Sequence, residues 1–181
     1  MPRETSLTGH ERFFDDDDLI VSKTDLKGHI TYCNPLFLKL AGYSEKELLQ
    51  QPHSIIRHPD MPRSIFKLLW ETVENGKEIF AYVVNRTKLG DHYWVFAHVT
   101  PTFDAHGQII GYHSNRRVPA RSAVETISGL YKQLLDVERP YRNPKDACQA
   151  SIAVLQNILK ENGITYDEFV FSLAHASRSA A

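Results

Sequence analysis

The stretch EIFAYVVNRTKLGDHYWVFAHVTPTFDAHGQIIGYHSNRR, residues 78–117, decides the fold of this chain. It contains three segments rich in Val, Ile, Tyr, Phe and Trp, the side chains that favour extended strands. Gly90 and Gly107 mark the turns between these segments. The pattern predicts a three-stranded meander with strands over residues 78–86, 91–103 and 108–117.

The sequence before the meander predicts two further strands and several helices. Residues 19–23 and 29–33 are short apolar segments, and the Asp and Gly between them suit a hairpin turn. From residue 34 to 75 the apolar spacing becomes helical, with a capping box over 44–47. Two strands, then helices, then three strands predict an α+β fold: a five-stranded antiparallel sheet with short helices on one face.

The ends of the chain differ in composition from this central region. Residues 1–18 are polar and finish in four consecutive aspartates, which predicts a solvated lead-in. Residues 121–181 carry apolar stripes at helical spacing, which predict a tail of about three helices. We therefore expect one domain over residues 19–120, preceded by the lead-in and followed by the helical tail.

Composition narrows the function classes. A net charge of −1 leaves no excess of positive charge for nucleic acid or anionic lipid. No run reaches the ~18 apolar residues of a membrane span, and no signal peptide is recognisable, so we expect a cytoplasmic protein without membrane insertion. The sequence contains no Gly-rich phosphate loop, zinc-ligand spacing or nucleophile-base constellation, so we expect no enzymatic activity.

The predicted order of elements is that of the PAS fold, and local motifs sharpen this resemblance. NPLF at residues 34–37 resembles the segment that follows the second strand in PAS domains. IRHPDMP at 56–62 and GDHYWV at 90–95 are similar to the sensor domain of bacterial aerotaxis receptors. The resemblance covers residues 19–120 and does not extend into the tail.

The resemblance implies a cofactor and an output. It implies non-covalently bound FAD and signalling through flavin oxidation state rather than turnover, with Arg57, His58 and Asp60 needed for flavin binding. The membrane anchor and methyl-accepting region of aerotaxis receptors are not seen in this sequence. The expected partner is therefore a separate signalling protein, such as a chemoreceptor, a histidine kinase or a cyclase.

The residues of this motif have the chemistry that a flavin nucleotide needs. Arg57 offers a planar fork of donors to a diphosphate, while Asp60 could orient that arginine or accept from a ribose hydroxyl. His58 could donate a hydrogen bond to the same region. Alternatively, all three side chains stabilise the turn before the next helix by bonding the local backbone.

Other candidate contacts come from the helices and strands. Phe66 and Trp70 lie one helical turn apart and could stack on flavin or adenine, or belong only to the core. Asn85 is an amide in an apolar strand and therefore needs a partner. By resemblance to LOV photoreceptors, Asn85 and His113 occupy positions of flavin-contacting residues. The remaining candidate contacts are Asn34, which could instead cap the first helix, and His53.

Along the fourth strand, periodicity alone does not choose the inner face. The resemblance implies that one alternating set of side chains faces the pocket: Tyr93, Val95, Ala97 and Val99. Trp94, Phe96 and His98 then lie on the opposite sheet face, where an uncovered aromatic patch would be a liability. We expect either the tail or a second subunit of a homodimer to cover them.

Three other ligand states remain open at this point. FMN could replace FAD, because the residues alone do not choose between them. A haem-binding PAS gas sensor is an alternative, with axial-ligand candidates among the histidines, notably His53, His58, His98 and His113. The domain could also be a cofactor-free module for interaction or dimerisation. A LOV photoreceptor is disfavoured, because no cysteine follows the second strand in the helical segment where its photoadduct forms.

Overall fold

A computed structural model describes residues 6–176 as a mixed succession of strands and helices. The first five residues of the predicted lead-in and the last five of the predicted tail lie outside the described residues. The elements, in chain order, are β1 Ile20–Thr24, β2 Ile30–Cys33, α1 Pro35–Ala41, α2 Glu45–Leu48, a 3-10 turn His53–Ile56, α3 Arg63–Glu74, β3 Ile79–Arg86, β4 His92–Phe103, β5 Ile109–Arg117, α4 Arg121–Glu138, α5 Pro144–Glu161 and α6 Tyr166–Ala176.

The five strands form one antiparallel sheet in the order β2-β1-β5-β4-β3. This confirms the predicted α+β fold and its five-stranded sheet. The hairpin β1-β2 lies at one edge, the meander β3-β4-β5 supplies the rest, and β1 pairs with β5. The chain crosses from one edge of the sheet to the other through α1, α2, the 3-10 turn and α3.

These helices and the inner sheet face enclose the core. Phe37, Leu48 and Ile65 from the helical side and Tyr93 and Val95 from β4 are at most 1% exposed. The predicted capping box is present, since the backbone N–H of Ser44 donates to Glu47 Oε2 at 3.0 Å. The predicted inner set of β4 therefore does face the helices.

The tail packs against the outer face of the sheet. The Tyr131 hydroxyl donates to the Tyr82 carbonyl oxygen at 2.6 Å, and both side chains are buried. The ring of Trp94 lies 6.1 Å from that of Tyr131, and Phe96 meets Phe171 edge-on at 6.5 Å. The tail thus covers Trp94 and Phe96, for which the sequence left the tail and a second subunit open. His98 instead stacks on Phe80 at 4.1 Å and pairs with Glu78 at 2.7 Å. Within residues 6–176, no helix has the length and apolar character to cross a bilayer.

Part of the N-terminal segment is bound rather than solvated. The backbone N–H of Thr8 donates to the Gly90 carbonyl oxygen at 3.0 Å, and that of His92 donates to His10 at 2.9 Å. The Arg12 guanidinium donates to Asp91 at 2.7 Å. The predicted lead-in therefore lies beside the β3-β4 turn and makes an isolated bridge to His92 through Glu11, although the aspartates at 15–17 are exposed.

Candidate functional site

A cavity of about 420 Å³ lies between the inner sheet face, α3 and the 3-10 turn. This volume falls within the ~300–1,000 Å³ typical of small-molecule sites. Val83, Ala97 and Val99 line it from the sheet, and Ile56 and Leu69 line it from the helical side. The wall is mainly apolar, with polar side chains concentrated in a few places.

One end of the cavity is aromatic. Trp70 of α3 packs edge-on against Tyr112 of β5, with ring centroids 5.4 Å apart. Gly28, in the β1-β2 turn, packs directly against the same indole. If residue 28 carried a Cβ atom, that atom would lie only 3.1 Å from a ring carbon of Trp70. Its φ of +78° is also a conformation that favours glycine. The turn glycine therefore allows the hairpin to approach Trp70 closely.

Arg57 enters the wall from the segment that follows the 3-10 turn. Its backbone forms an antiparallel bridge with Asn85, which fixes the segment to the edge of β3. Its Nη2 donates to the Met61 carbonyl oxygen at 3.0 Å, and its guanidinium carbon lies 4.5 Å from the Phe66 ring centroid. Burial, and then the neighbouring charge of Arg63, lower the pKa of Arg57. Arg57 and Phe66 thus form one stacked unit of the wall.

Asn85 lies in the cavity wall as predicted for a contact residue. It is 4% exposed and belongs to β3, where it pairs with Tyr93 of β4. Burial raises the pKa of the Tyr93 hydroxyl, and the Asn85 amide partly opposes that shift. An amide buried beside a cavity can present both a donor and an acceptor to a ligand edge.

A polar cluster that the sequence did not indicate lines the cavity near the end of β5. Arg116 is 4% exposed, and its Nη2 donates to Ser22 Oγ and to His53 Nε2, both at 2.6 Å. Its guanidinium carbon also lies 5.2 Å from the Phe37 ring centroid. The other terminal nitrogen, Nη1, is buried without a hydrogen-bond partner in the described structure. Arg116, Ser22 and Tyr112 are among the cavity residues that sequence reasoning missed.

His53 is held neutral in this cluster. Arginine only donates hydrogen bonds, so the His53 Nε2 that receives one from Arg116 carries no proton. Burial, and then the charge of Arg116, lower the pKa of His53 to about 3. The imidazole also stacks on Phe37 at a centroid distance of 6.0 Å. At neutral pH the only charge in the cluster is therefore that of Arg116.

His58 and Asp60 do not reach the cavity wall. His58 is buried, its Nδ1 accepts from the backbone N–H of Asp60 at 3.1 Å, and its ring lies 5.7 Å from that of His92. The Asp60 side chain is 72% exposed. His58 and Asp60 therefore make local contacts that stabilise their turn, which is the alternative role considered for them in the sequence analysis. Arg57 lies at the start of the same turn.

Asn34 and His113 also make local contacts. Asn34 caps α1 by accepting from the Phe37 backbone N–H at 3.1 Å, and it accepts from Val21 at the same distance. It lies outside the cavity wall. His113 borders the cavity, but its Nε2 donates to Asn115 Oδ1 at 3.0 Å, two residues along the same strand. Of the nine predicted contacts, the structure brings together Arg57, Phe66, Trp70, Asn85, His53 and His113 around the cavity.

Residues 30–116 match the protein family described as PAS fold. The aerotaxis receptor of Escherichia coli (strain K12) is 41% identical over 119 residues, which cover 66% of this chain and 23% of the receptor. The nitrogen fixation regulatory protein of Klebsiella pneumoniae is 30% identical over 97 residues, covering 54% of this chain and 20% of that protein. The chain thus spans less than a quarter of the length of either relative.

Solved structures agree on the fold. The light-state structure of the blue-light photoreceptor Aureochrome1 LOV superposes with a TM-score of 0.53 at 20% identity, covering 65% of this chain and 91% of that one. A PAS domain from Colwellia psychrerythraea gives a TM-score of 0.51 at 24% identity, with coverage of 55% and 85%. Residues 30–116 of this chain therefore form a PAS domain, and the identity to the aerotaxis receptor supports a sensor domain of that receptor's type.

Proposed function

We propose that the cavity binds FAD non-covalently and that the protein is a redox sensor, which reports flavin oxidation state to a separate signalling protein. The observation that carries this proposal is the division of the cavity into two unlike ends. Trp70 and Tyr112 form an apolar, aromatic end, whereas Arg116 and Asn85 bring hydrogen-bonding groups to the sheet wall. A flavin ring has the matching division, with an apolar dimethylbenzene edge and a polar pyrimidine edge.

The residues present fit this cofactor. The unpartnered Nη1 of Arg116 offers a donor to a carbonyl or anionic edge, and the Asn85 amide offers a donor and an acceptor. Arg57, stacked on Phe66, supplies a second cation in the wall for a phosphate group. When bound, the flavin would supply reversible oxidation and reduction. The protein groups would orient the ring and set its electrostatic surroundings.

The relatives support a sensing role. One is named an aerotaxis receptor, one a nitrogen fixation regulatory protein, and one, from Brucella canis, a blue-light-activated histidine kinase at 24% identity. These names describe receptors and regulators. They support an output through a signalling partner such as a chemoreceptor, a histidine kinase or a cyclase rather than through turnover in the PAS domain.

Strand β3 provides a route from the cavity to the tail. Val83 and Asn85 face the cavity, while Tyr82, which alternates with them along the strand, faces the tail. The Tyr82 carbonyl oxygen accepts from Tyr131 of α4, and its hydroxyl lies 3.5 Å from the Val170 carbonyl oxygen of α6. A change in hydrogen bonding at Asn85 would therefore bias the packing of the tail, by shifting the population of two arrangements.

The first test is the visible spectrum of the purified protein, followed by identification of any cofactor that heating releases. We expect flavin absorption bands and FAD in the supernatant, either as purified or after reconstitution with FAD. FMN in the supernatant would overturn the choice of nucleotide. A Soret band would show that the protein binds haem instead of flavin. Failure to bind FAD after reconstitution would indicate a cofactor-free interaction module.

Tyr131→Phe tests the junction between β3 and the tail. Removal of the hydroxyl leaves the buried Tyr82 carbonyl oxygen without this donor, which costs about 1–3 kcal/mol. We expect urea unfolding to show this loss in the free energy of unfolding. The matched control is Tyr141→Phe, at a residue 48% exposed, which should change stability by less than about 0.5 kcal/mol. Equal stability of the two variants would contradict the role of this contact.

A further inference from the structure

The protonation state of His58 is fixed by the turn in which it lies. The imidazole is 6% exposed, and its Nδ1 accepts from the backbone N–H of Asp60 at 3.1 Å. A backbone N–H only donates, so Nδ1 carries no proton and the neutral ring has its proton on Nε2. The backbone N–H of Met61 donates to the His58 carbonyl oxygen at 3.1 Å. His58 therefore holds the turn 58–61 together through both its side chain and its backbone.

Charged and titratable groups from three elements face this imidazole. The ring of His92, on β4, lies 5.7 Å from it, and Arg86, on β3, has a buried Nε without a hydrogen-bond partner in the described part of the chain. Asp60 Oδ2 lies 3.6 Å from Nδ1, but the carboxylate is 72% exposed and is screened by water. Burial lowers the pKa of His58; the charge of Asp60 opposes that shift, and those of His92 and Arg86 reinforce it. A proton on His58 is therefore disfavoured in the folded protein.

The same turn positions Arg57 in the cavity wall. Arg57 directly precedes His58, and its Nη2 donates to the Met61 carbonyl oxygen at the other end of the turn. Its backbone forms the bridge to Asn85, and both side chains line the cavity. Opening of the turn would remove the acceptor that orients the Arg57 guanidinium. The state of His58 can thus affect the cavity, although its own side chain does not line it.

We propose that His58 is a proton-sensitive switch that controls how firmly the cavity holds its occupant; its cofactor readout rests on the proposed function. A proton from solvent that binds Nδ1 occupies the lone pair that accepts from the Asp60 N–H. Two N–H groups then face each other, and this hydrogen bond is lost. The new charge also lies in buried surroundings beside His92 and Arg86. The turn opens, Arg57 loses its orientation, and acid weakens binding in the cavity.

The switch has a defined effect on stability without any cofactor. Because the pKa of His58 is lowered in the folded protein, the unfolded chain binds more protons below the ordinary value of 6.5. The stability that the neutral ring contributes is complete above about pH 6.5 and is lost as the pH falls from there toward the folded-state pKa. His53, whose pKa is lowered to about 3, adds a dependence of the same sign. The comparison of wild type with His58→Asn therefore isolates the contribution of His58.

His58→Asn is the main test, because the asparagine side-chain oxygen can accept from the N–H two residues on but does not titrate. Urea unfolding over a range of pH should show the wild type taking up as much as about one more proton on unfolding than this variant. The dissociation constant for FAD should rise by as much as about tenfold per pH unit below the pH at which NMR shows His58 to titrate. His58→Asn should lack this component. His106→Asn, at an exposed histidine of the β4-β5 turn, should keep the wild-type dependence.

His92→Asn provides a second variant that leaves His58 in place. It removes one of the charges that disfavour a proton on His58, so the NMR titration of His58 should move to higher pH. The acid-induced loss of FAD affinity should move with it. If His58→Asn does not fold, the wild type and His92→Asn still decide the question.

The outcomes separate the switch from the proposed function. Backbone N–H resonances of Arg57 and Asn85 that shift with the same midpoint as His58 support the switch, with or without FAD. The switch is overturned if His58 titrates while those resonances stay unchanged, or if His58→Asn keeps the full pH dependence of the wild type. Protein that binds no flavin at any pH overturns the proposed function alone, because the NMR and unfolding measurements need no cofactor.

Discussion

Glu138→Ala is expected to lower the free energy of unfolding by about 1.5–3 kcal/mol, the range for loss of a hydrogen bond to a charged group. Glu138 ends α4, is 8% exposed, and acts as a distant cap for α3. Its Oε1 accepts from the backbone N–H of Arg63 at 2.8 Å and from the Ser151 hydroxyl at 2.7 Å. The first turn of α3 offers no acceptor of its own, because Pro62 stands at the cap position.

Two matched variants make this measurement specific. Glu138→Gln keeps an acceptor oxygen but loses the charge, so urea unfolding should show about half of the loss seen for Glu138→Ala. Glu125→Ala removes an exposed glutamate from the same helix and should change stability by less than about 0.5 kcal/mol. If Glu138→Ala were no more destabilising than Glu125→Ala, the tail would not be anchored on α3 through this carboxylate.

The fold could be predicted because its signals are local. The strands of the meander are set by β-branched and aromatic residues on either side of Gly90 and Gly107, and each strand was located to within about two residues. The capping box at Ser44 is likewise a contact between residues three apart. The attachment of the N-terminal segment to Gly90 could not be predicted, because it depends on backbone hydrogen bonds between residues about 80 apart.

The candidate site was predicted less completely, for a physical reason. Arg57 was found from its motif, and Asn85 was recognised because an amide in an apolar strand needs a partner. Arg116 was missed because two consecutive arginines, Arg116 and Arg117, are typical of the solvated end of a strand. Which of the two side chains points inward depends on how β5 pairs with β1 and β4. The alternation of Arg116 with Ser114 and Tyr112 is the signal that could have identified it.

Glu138 illustrates the same limit on the helical side. In the sequence it is the last residue of an amphipathic stripe, where a charged side chain is ordinarily solvated. Its burial arises because α5 packs against both α3 and α4 and encloses the carboxylate near Ser151. Contacts of this kind depend on how helices pack, a property that periodicity does not contain. The sequence therefore predicts three helices in the tail, but it does not predict where these helices pack on the rest of the domain.

Arg57→Ala is expected to weaken FAD binding by a factor of about 10 to 100, the equivalent of one charge-assisted hydrogen bond. One of the five N–H groups of the guanidinium is used by the Met61 carbonyl oxygen. The described part of the chain shows no other hydrogen bond from this side chain, so its remaining donors are free for a phosphate group. The measurement is the dissociation constant for FAD, by fluorescence titration of the apoprotein.

Controls separate loss of the donor from loss of charge or of local structure. Arg57→Lys keeps a cation but loses the planar fork and its stacking on Phe66, so it should recover only part of the affinity. Lys67→Ala removes an exposed cation from α3 that pairs with Glu71, and should leave the dissociation constant unchanged. Because Arg57 also bonds Met61, unfolding of each variant is measured without FAD. An affinity loss with unchanged apoprotein stability would identify Arg57 as a ligand contact, whereas a parallel loss of both would reduce it to support for the turn.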